Sequence, residues 1–121
     1  MTDTTMDGAK ARELLAPVRL FVLDMDGTIY LGDELFPWTA PFLEQAEASG
    51  RDYLFLTNNS SRGADDYVRK LARLGLPIQS PRMMTSGQAT AELLRAEPGL
   101  ERLWVMGTDE LLAEFSRAGF V

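Results

Sequence analysis

An apolar run that stops at two carboxylates constrains this chain more than any other stretch. It reads Phe21-Val22-Leu23-Asp24-Met25-Asp26-Gly27-Thr28-Ile29-Tyr30. The β-forming residues at its start have the pattern of a strand buried on both faces. In an extended chain residues i and i+2 point the same way, so Asp24 and Asp26 share a side and Met25 faces the other. Two such charges repel unless a cation lies between them or one is protonated. Gly27 permits a turn that a Cβ would hinder, and Thr28 brings a hydroxyl and an amide beside the acids. Hard oxygen ligands in this arrangement suit Mg²⁺, which keeps waters and a substrate phosphate in its shell.

Composition removes several classes of function. The chain has 121 residues, 45% of them hydrophobic and 25% charged, within the range of one soluble domain. A formal charge of −6 opposes nucleic acid or an anionic membrane as partner. With no cysteine there is no disulfide frame and no thiolate chemistry, and a cytoplasmic location is expected. With no histidine, Ser-His catalysis and histidine metal sites are excluded. The polar start Met1–Gly8 lacks the form of a signal peptide, and no apolar run approaches the roughly 20 residues of a membrane span.

Periodicity orders the rest. Residues 1 to 9 read as disordered, and Ala9 to Leu15 as a short helix stopped by Pro17. A first strand covers about Arg19 to Asp24, followed by a loop through Gly32-Asp33-Glu34 to Pro37-Trp38. Thr39 reads as the N-cap of a helix with Phe42, Leu43 and Ala46 on its apolar face, closed by Gly50. A second strand, Tyr53 to Leu56, completes a βαβ unit, so the two strands should be parallel. Gly63 to Leu74 is a helix with Tyr67, Leu71 and Leu74 inward and Asp65–Arg69 and Asp66–Lys70 as outer pairs. Gly75 ends it, and Pro77 to Arg82 is a connector. Thr85-Ser86-Gly87-Gln88 forms a capping box for a helix to about Ala96. Leu103 to Met106 reads as a third strand, and Thr108-Asp109-Glu110 opens a helix carrying Leu111, Phe115 and Ala118. Phe120-Val121 reads as entry into a further strand.

A second polar cluster, Thr57-Asn58-Asn59-Ser60-Ser61, follows the second strand. Both clusters then lie at the carboxyl ends of neighbouring parallel strands, where open α/β sheets hold ligands. Hydroxyls, carboxamides and consecutive N–H groups suit phosphate oxygens. The same residues can also do no more than satisfy their own turn.

Leu23-Asp24-Met25-Asp26-Gly27-Thr28-Ile29 closely resembles the nucleophile motif of the haloacid dehalogenase (HAD) superfamily, mostly Mg²⁺-dependent phosphatases. Leu56-Thr57-Asn58-Asn59-Ser60-Ser61-Arg62 resembles motif II of its class IIA, nitrophenylphosphatase-like branch, and Met84 to Thr90 looks like the start of that branch's α/β cap. The resemblance implies an α/β, Rossmann-like HAD core, partial, with a parallel sheet of βαβ units and the beginning of a cap. It divides the chain into a tail and short helix (1–18), the first half of the core (19–82) and the start of the cap (83–121), the chain reading as truncated.

The implied activity is hydrolysis of a small phosphorylated metabolite through an aspartyl-phosphate. Asp24 is then nucleophile and Mg²⁺ ligand. Asp26 is general acid and base, with its carbonyl also on the metal. Gly27, Thr28, Thr57, Asn58 and Asn59 hold the phosphoryl group. The family's third motif, a lysine beside the nucleophile, and its fourth, an acidic pair, have no clear counterpart. The only lysines are Lys10 and Lys70, and Asp109-Glu110 are simply explained as first-turn acids. A non-catalytic Mg²⁺ or phosphate-binding module and an interaction protein that folds by pairing are the alternative readings. A homo-oligomer is expected if strand edges stay uncovered.

Overall fold

The computed structural model describes residues 7–59, 61–78 and 82–121; the reading of residues 1–6 as disordered lies outside these. Three parallel strands carry the architecture: β1 (Leu20–Leu23), β4 (Asp52–Thr57) and β5 (Met83–Thr85), in the order β1-β4-β5. Register pairs Leu23 with Phe55, and Thr57 with Thr85. Between β1 and β4 lie a two-stranded antiparallel hairpin, β2 (Tyr30–Leu31) and β3 (Glu34–Leu35), and helix α2 (Thr39–Ala48). Helix α1 (Gly8–Leu15) precedes β1, and α3 (Ala64–Arg73) joins β4 to β5. Helices α4 (Ser86–Arg95) and α5 (Asp109–Arg117) follow. No described helix is long and apolar enough to cross a membrane.

Local chemistry explains most boundaries. Asp7 accepts a hydrogen bond from the Ala9 N–H, so α1 starts one residue earlier than the periodicity suggests. Gly75, at φ +88°, ends α3, with the Leu76 N–H returning to the Leu71 carbonyl. Thr85 and Gln88 form the expected reciprocal capping box on α4. Thr108 caps α5 by accepting from the Leu111 N–H, and Asp109 and Glu110 occupy its first turn.

Several expectations are corrected. Thr39 does not cap α2: Trp38 holds that position without a side-chain bond, and the buried Thr39 hydroxyl donates to the Ile29 carbonyl at 2.7 Å. The stretch after Tyr30 is a hairpin rather than a loop, because Gly32 adopts φ +59° and permits a two-residue turn. The outer pairs of α3 differ as well. Asp66 meets Arg69, Asp65 meets Arg117 of α5, and Lys70 has turned inward. Leu103 to Met106 is not a strand, since among the described residues only Leu103 N–H to Val121 O and Val121 N–H to Glu101 O pair this segment. Two such bonds do not make a ladder, and Phe120-Val121 likewise starts none.

The core has two parts. Met25, Ile29, Tyr30, Leu43, Tyr53, Phe55, Tyr67 and Leu71 pack on one face of the sheet beneath α2 and α3. Ala91, Phe115 and Phe120 centre a smaller cluster, with Leu103 and Val105 against it. The opposite sheet face is not buried as the apolar run suggests. Leu20 is 51% exposed and Val22 56%, with Leu56 and Met84 also exposed on that side. β1 is an edge strand, and among the described residues no comparable layer covers that face.

Candidate active site

Asp24 and Asp26 stand where β1 ends. Met25 between them is fully buried while both acids are exposed, which is the alternation a strand end imposes. The chain then reverses. Gly27, at φ +79°, donates its N–H to the Tyr30 carbonyl at 2.8 Å, and the Thr28 and Ile29 N–H groups bond the Met25 carbonyl. Only glycine reaches that φ without strain. The amides of Gly27 and Thr28 are therefore spent inside the turn, and an anion would meet the exposed Thr28 through its hydroxyl.

The second cluster sits at the end of the neighbouring strand. Thr57 is buried, and its hydroxyl accepts from the Asn59 N–H at 3.2 Å. The Asn58 carbonyl accepts from the Ser86 hydroxyl, and the Asn58 side chain is exposed with the rest of its residue. Asn59 Oδ1 accepts from both the N–H and the hydroxyl of Ser61, a self-satisfied turn that leaves its amide nitrogen as the donor.

Asp26 and Asn59 come together in a cleft of about 140 Å³, with Tyr30, Arg62, Tyr67 and Lys70 completing its lining. Asp24, Gly27, Thr28, Thr57 and Asn58 are not part of that lining. The Lys70 ammonium stands 4.1 Å from the centre of the Tyr30 ring. Burial pushes the Tyr30 phenol up to about 12, and the charges of Asp26 and Asp24 add to this against the opposing Arg62. Burial also raises Tyr67, with Asp26 adding to it. Both acids of the motif thus project negative field onto one buried phenol.

The four additional lining residues were not assigned to the site from the sequence. Tyr67 and Lys70 are three apart on α3, a spacing that shares one helix face and could have revealed Lys70. Glu114 was missed too: it is buried and accepts from the Thr85 hydroxyl at 2.9 Å and the Ala64 N–H at 3.1 Å. It lines a separate cavity of about 530 Å³ among α3, β5, α4 and α5, away from the paired aspartates.

As a donor set, Asp24 and Asp26 fit Mg²⁺ in part. The exposed Asp24 carboxylate and the Asp26 backbone carbonyl supply hard oxygens, but no group of three or more acids gathers among the described residues. Two protein ligands leave most of an octahedral shell to water and phosphate, which Mg²⁺ tolerates.

Comparison with known proteins identifies the family. Residues 21–121 match the family model for haloacid dehalogenase-like hydrolase. The chain is 32% identical over 112 residues to phosphoglycolate phosphatase 1A, chloroplastic, of Arabidopsis thaliana, covering 91% of this chain and 31% of that one. A 4-nitrophenylphosphatase structure from Thermotoga maritima superposes with a TM-score of 0.83 at 43% identity, over 86% of this chain and 40% of that one. A glycerol phosphate phosphatase from Mycobacterium tuberculosis in complex with magnesium gives 0.68 at 31% identity, over 84% and 30%, and it is also known with calcium. This chain therefore spans well under half the length of these relatives. A match from β1 to Val121, over a site with paired aspartates at the first strand end, makes the chain a member of the haloacid dehalogenase-like hydrolase family.

Proposed function

We propose that this chain carries the nucleophile-bearing part of a Mg²⁺-dependent phosphatase that hydrolyses a small phosphomonoester. The observation that carries this reading is the exposed Asp24 and Asp26 flanking a buried Met25 beside the Thr57–Asn59 turn. Asp24 and Asp26 would hold the Mg²⁺, which when bound offsets the charge of carboxylate and phosphate. An Asp24 oxygen attacks phosphorus, the bond to the leaving oxygen breaks, and Asp26 delivers a proton to that oxygen. Asp26 then takes a proton from water, which attacks phosphorus and breaks its bond to Asp24, releasing inorganic phosphate. Thr28, Thr57, Asn58 and the Asn59 amide nitrogen would steady the transferring group, where phosphoryl transfer most needs positioning.

The division into a core part and an opening cap also belongs to this reading. β5 shares the sheet with β4, which favours drawing that boundary after β5, where the second apolar cluster begins. A second reading, a site that binds Mg²⁺ and phosphate without turnover, is favoured by the lack of a third acid beside Asp24 and Asp26 among the described residues.

Calorimetry with Mg²⁺ and orthophosphate tests the site. The wild-type chain is expected to bind weakly, and Asp24→Asn to lose the Mg²⁺ signal. Equal binding by both proteins would rule out the assigned residues.

A further inference from the structure

We infer that Arg62 and Lys70 form a receptor for a second anionic group on the substrate, a carboxylate carried by the leaving group of the phosphate ester. This rests on the roles given above to Asp24 and Asp26. The cleft that holds both cations is lined by Asp26 and not by Asp24. It therefore opens on the side of the acid that protonates the leaving oxygen, and a group bound there meets the leaving half of the substrate.

Charge points the same way. In a chain of net charge −6 with only two lysines, one of them faces this cleft. Arg69, Arg82 and Arg117 are paired with carboxylates, whereas among the described residues neither Arg62 nor Lys70 has a salt-bridge partner. Lys70 rests instead on the Tyr30 ring, which fixes its ammonium without neutralising it. Two cations face the one carboxylate that lines the cleft, and Asp24, outside the lining, adds only the weaker share of the negative field. The Tyr30 and Tyr67 phenols stay protonated at neutral pH and serve as neutral neighbours of an anion.

Size narrows the ligand. About 140 Å³ is below the roughly 300–1,000 Å³ of typical ligand pockets, so the cleft suits a compact anion and not a sugar ring or a base. A short phosphorylated hydroxy acid has this form, and a phosphorylated neutral polyol lacks the second charge.

The test uses the 121-residue chain with Mg²⁺ present, following amide shifts by NMR during titration with phosphoglycolate, glycerol 3-phosphate and orthophosphate. Wild type should bind phosphoglycolate best. Lys70→Gln and Arg62→Gln should each weaken phosphoglycolate by about tenfold, as a charge-assisted contact implies, and glycerol 3-phosphate by no more than about twofold. Lys70→Arg should retain the preference, which separates lost charge from lost fold. A parallel loss for all three anions would assign the cations to the transferring phosphoryl group and overturn the inference. Equal wild-type affinity for phosphoglycolate and glycerol 3-phosphate would also overturn it, with the Asp24 reading intact. Absence of any Mg²⁺-dependent phosphate binding would overturn both.

Discussion

The Glu114 carboxylate of α5 accepts the Thr85 hydroxyl at 2.9 Å across 29 residues of sequence, and the same oxygen takes the Ala64 N–H at the start of α3. One buried side chain thereby joins the end of β5, α3 and α5. Glu114→Ala would leave a buried hydroxyl and an orphan helix N–H. We expect a loss of about 2–4 kcal/mol from two such contacts, read as a lower urea midpoint. Glu114→Gln keeps an acceptor oxygen and should lose less than half as much; equal losses for the two variants would show that the hydrogen bonds are not the cause.

Gly87 and Gly8 give a paired test of packing against helix propensity. A Cβ on Gly87 would overlap Glu114 Oε2 and come within 2.9 Å of Leu111 Cδ1, whereas one on Gly8 meets nothing within 4 Å. Both lie in helices, where alanine is intrinsically better by up to about 1 kcal/mol. Because Glu114 is held by its own hydrogen bonds, Gly87→Ala should cost about 1–3 kcal/mol, while Gly8→Ala should be neutral or stabilising. Thermal unfolding of both variants checks the opposite signs.

The Tyr30 phenol supplies a pH prediction. Its folded value, pushed up to about 12 by burial and then by Asp26, lies above the ordinary 10.0. Below pH 10 the phenol is neutral in both states and its contribution is fully present. Between about 10 and 12 only the unfolded chain loses the proton, so stability falls as pH rises through that window. Subtracting the ultraviolet titration of Tyr30→Phe from wild type should isolate a midpoint near 12. Asp26→Asn should lower that midpoint without returning it to 10.0, since burial is the larger cause.

The exposed sheet face predicts self-association of the chain. Leu20, Val22, Leu56 and Met84 stand 51, 56, 41 and 37% exposed on one side of the sheet, the first two on the edge strand β1. Apolar surface and an open edge together favour pairing between chains. Sedimentation should show mass rising with concentration, and Val22→Lys should reduce it. A monomer over a wide concentration range would contradict this.

The features legible in the sequence were those fixed by neighbours in the chain. The Thr85–Gln88 box, the Gly75 stop and the Asp24-Met25-Asp26 alternation each depend on local geometry, and each is found. Thr39, Lys70 and Glu114 were misread or missed for the opposite reason. Their partners Ile29, Tyr30 and Thr85 lie 10, 40 and 29 residues away. A threonine before a helix signals a cap equally well whether or not a distant carbonyl claims its hydroxyl. Leu103 to Met106 failed differently: its alternation is real, with Trp104 86% exposed beside half-buried neighbours, but a strand also needs a partner ladder.

Hydrolysis of p-nitrophenyl phosphate by the purified 121-residue chain, with and without Mg²⁺, tests the central claim about Asp24 most directly. Among the described residues no third acid joins the paired aspartates, and Lys70 is held on the Tyr30 ring, on the Asp26 side. Lacking one preorganised charge-stabilising group costs on the order of 10²–10³ in rate, so turnover should be slow. It should also be Mg²⁺-dependent and absent in Asp24→Asn. Turnover that survives Asp24→Asn, or that proceeds equally well in a chelator, would contradict the account.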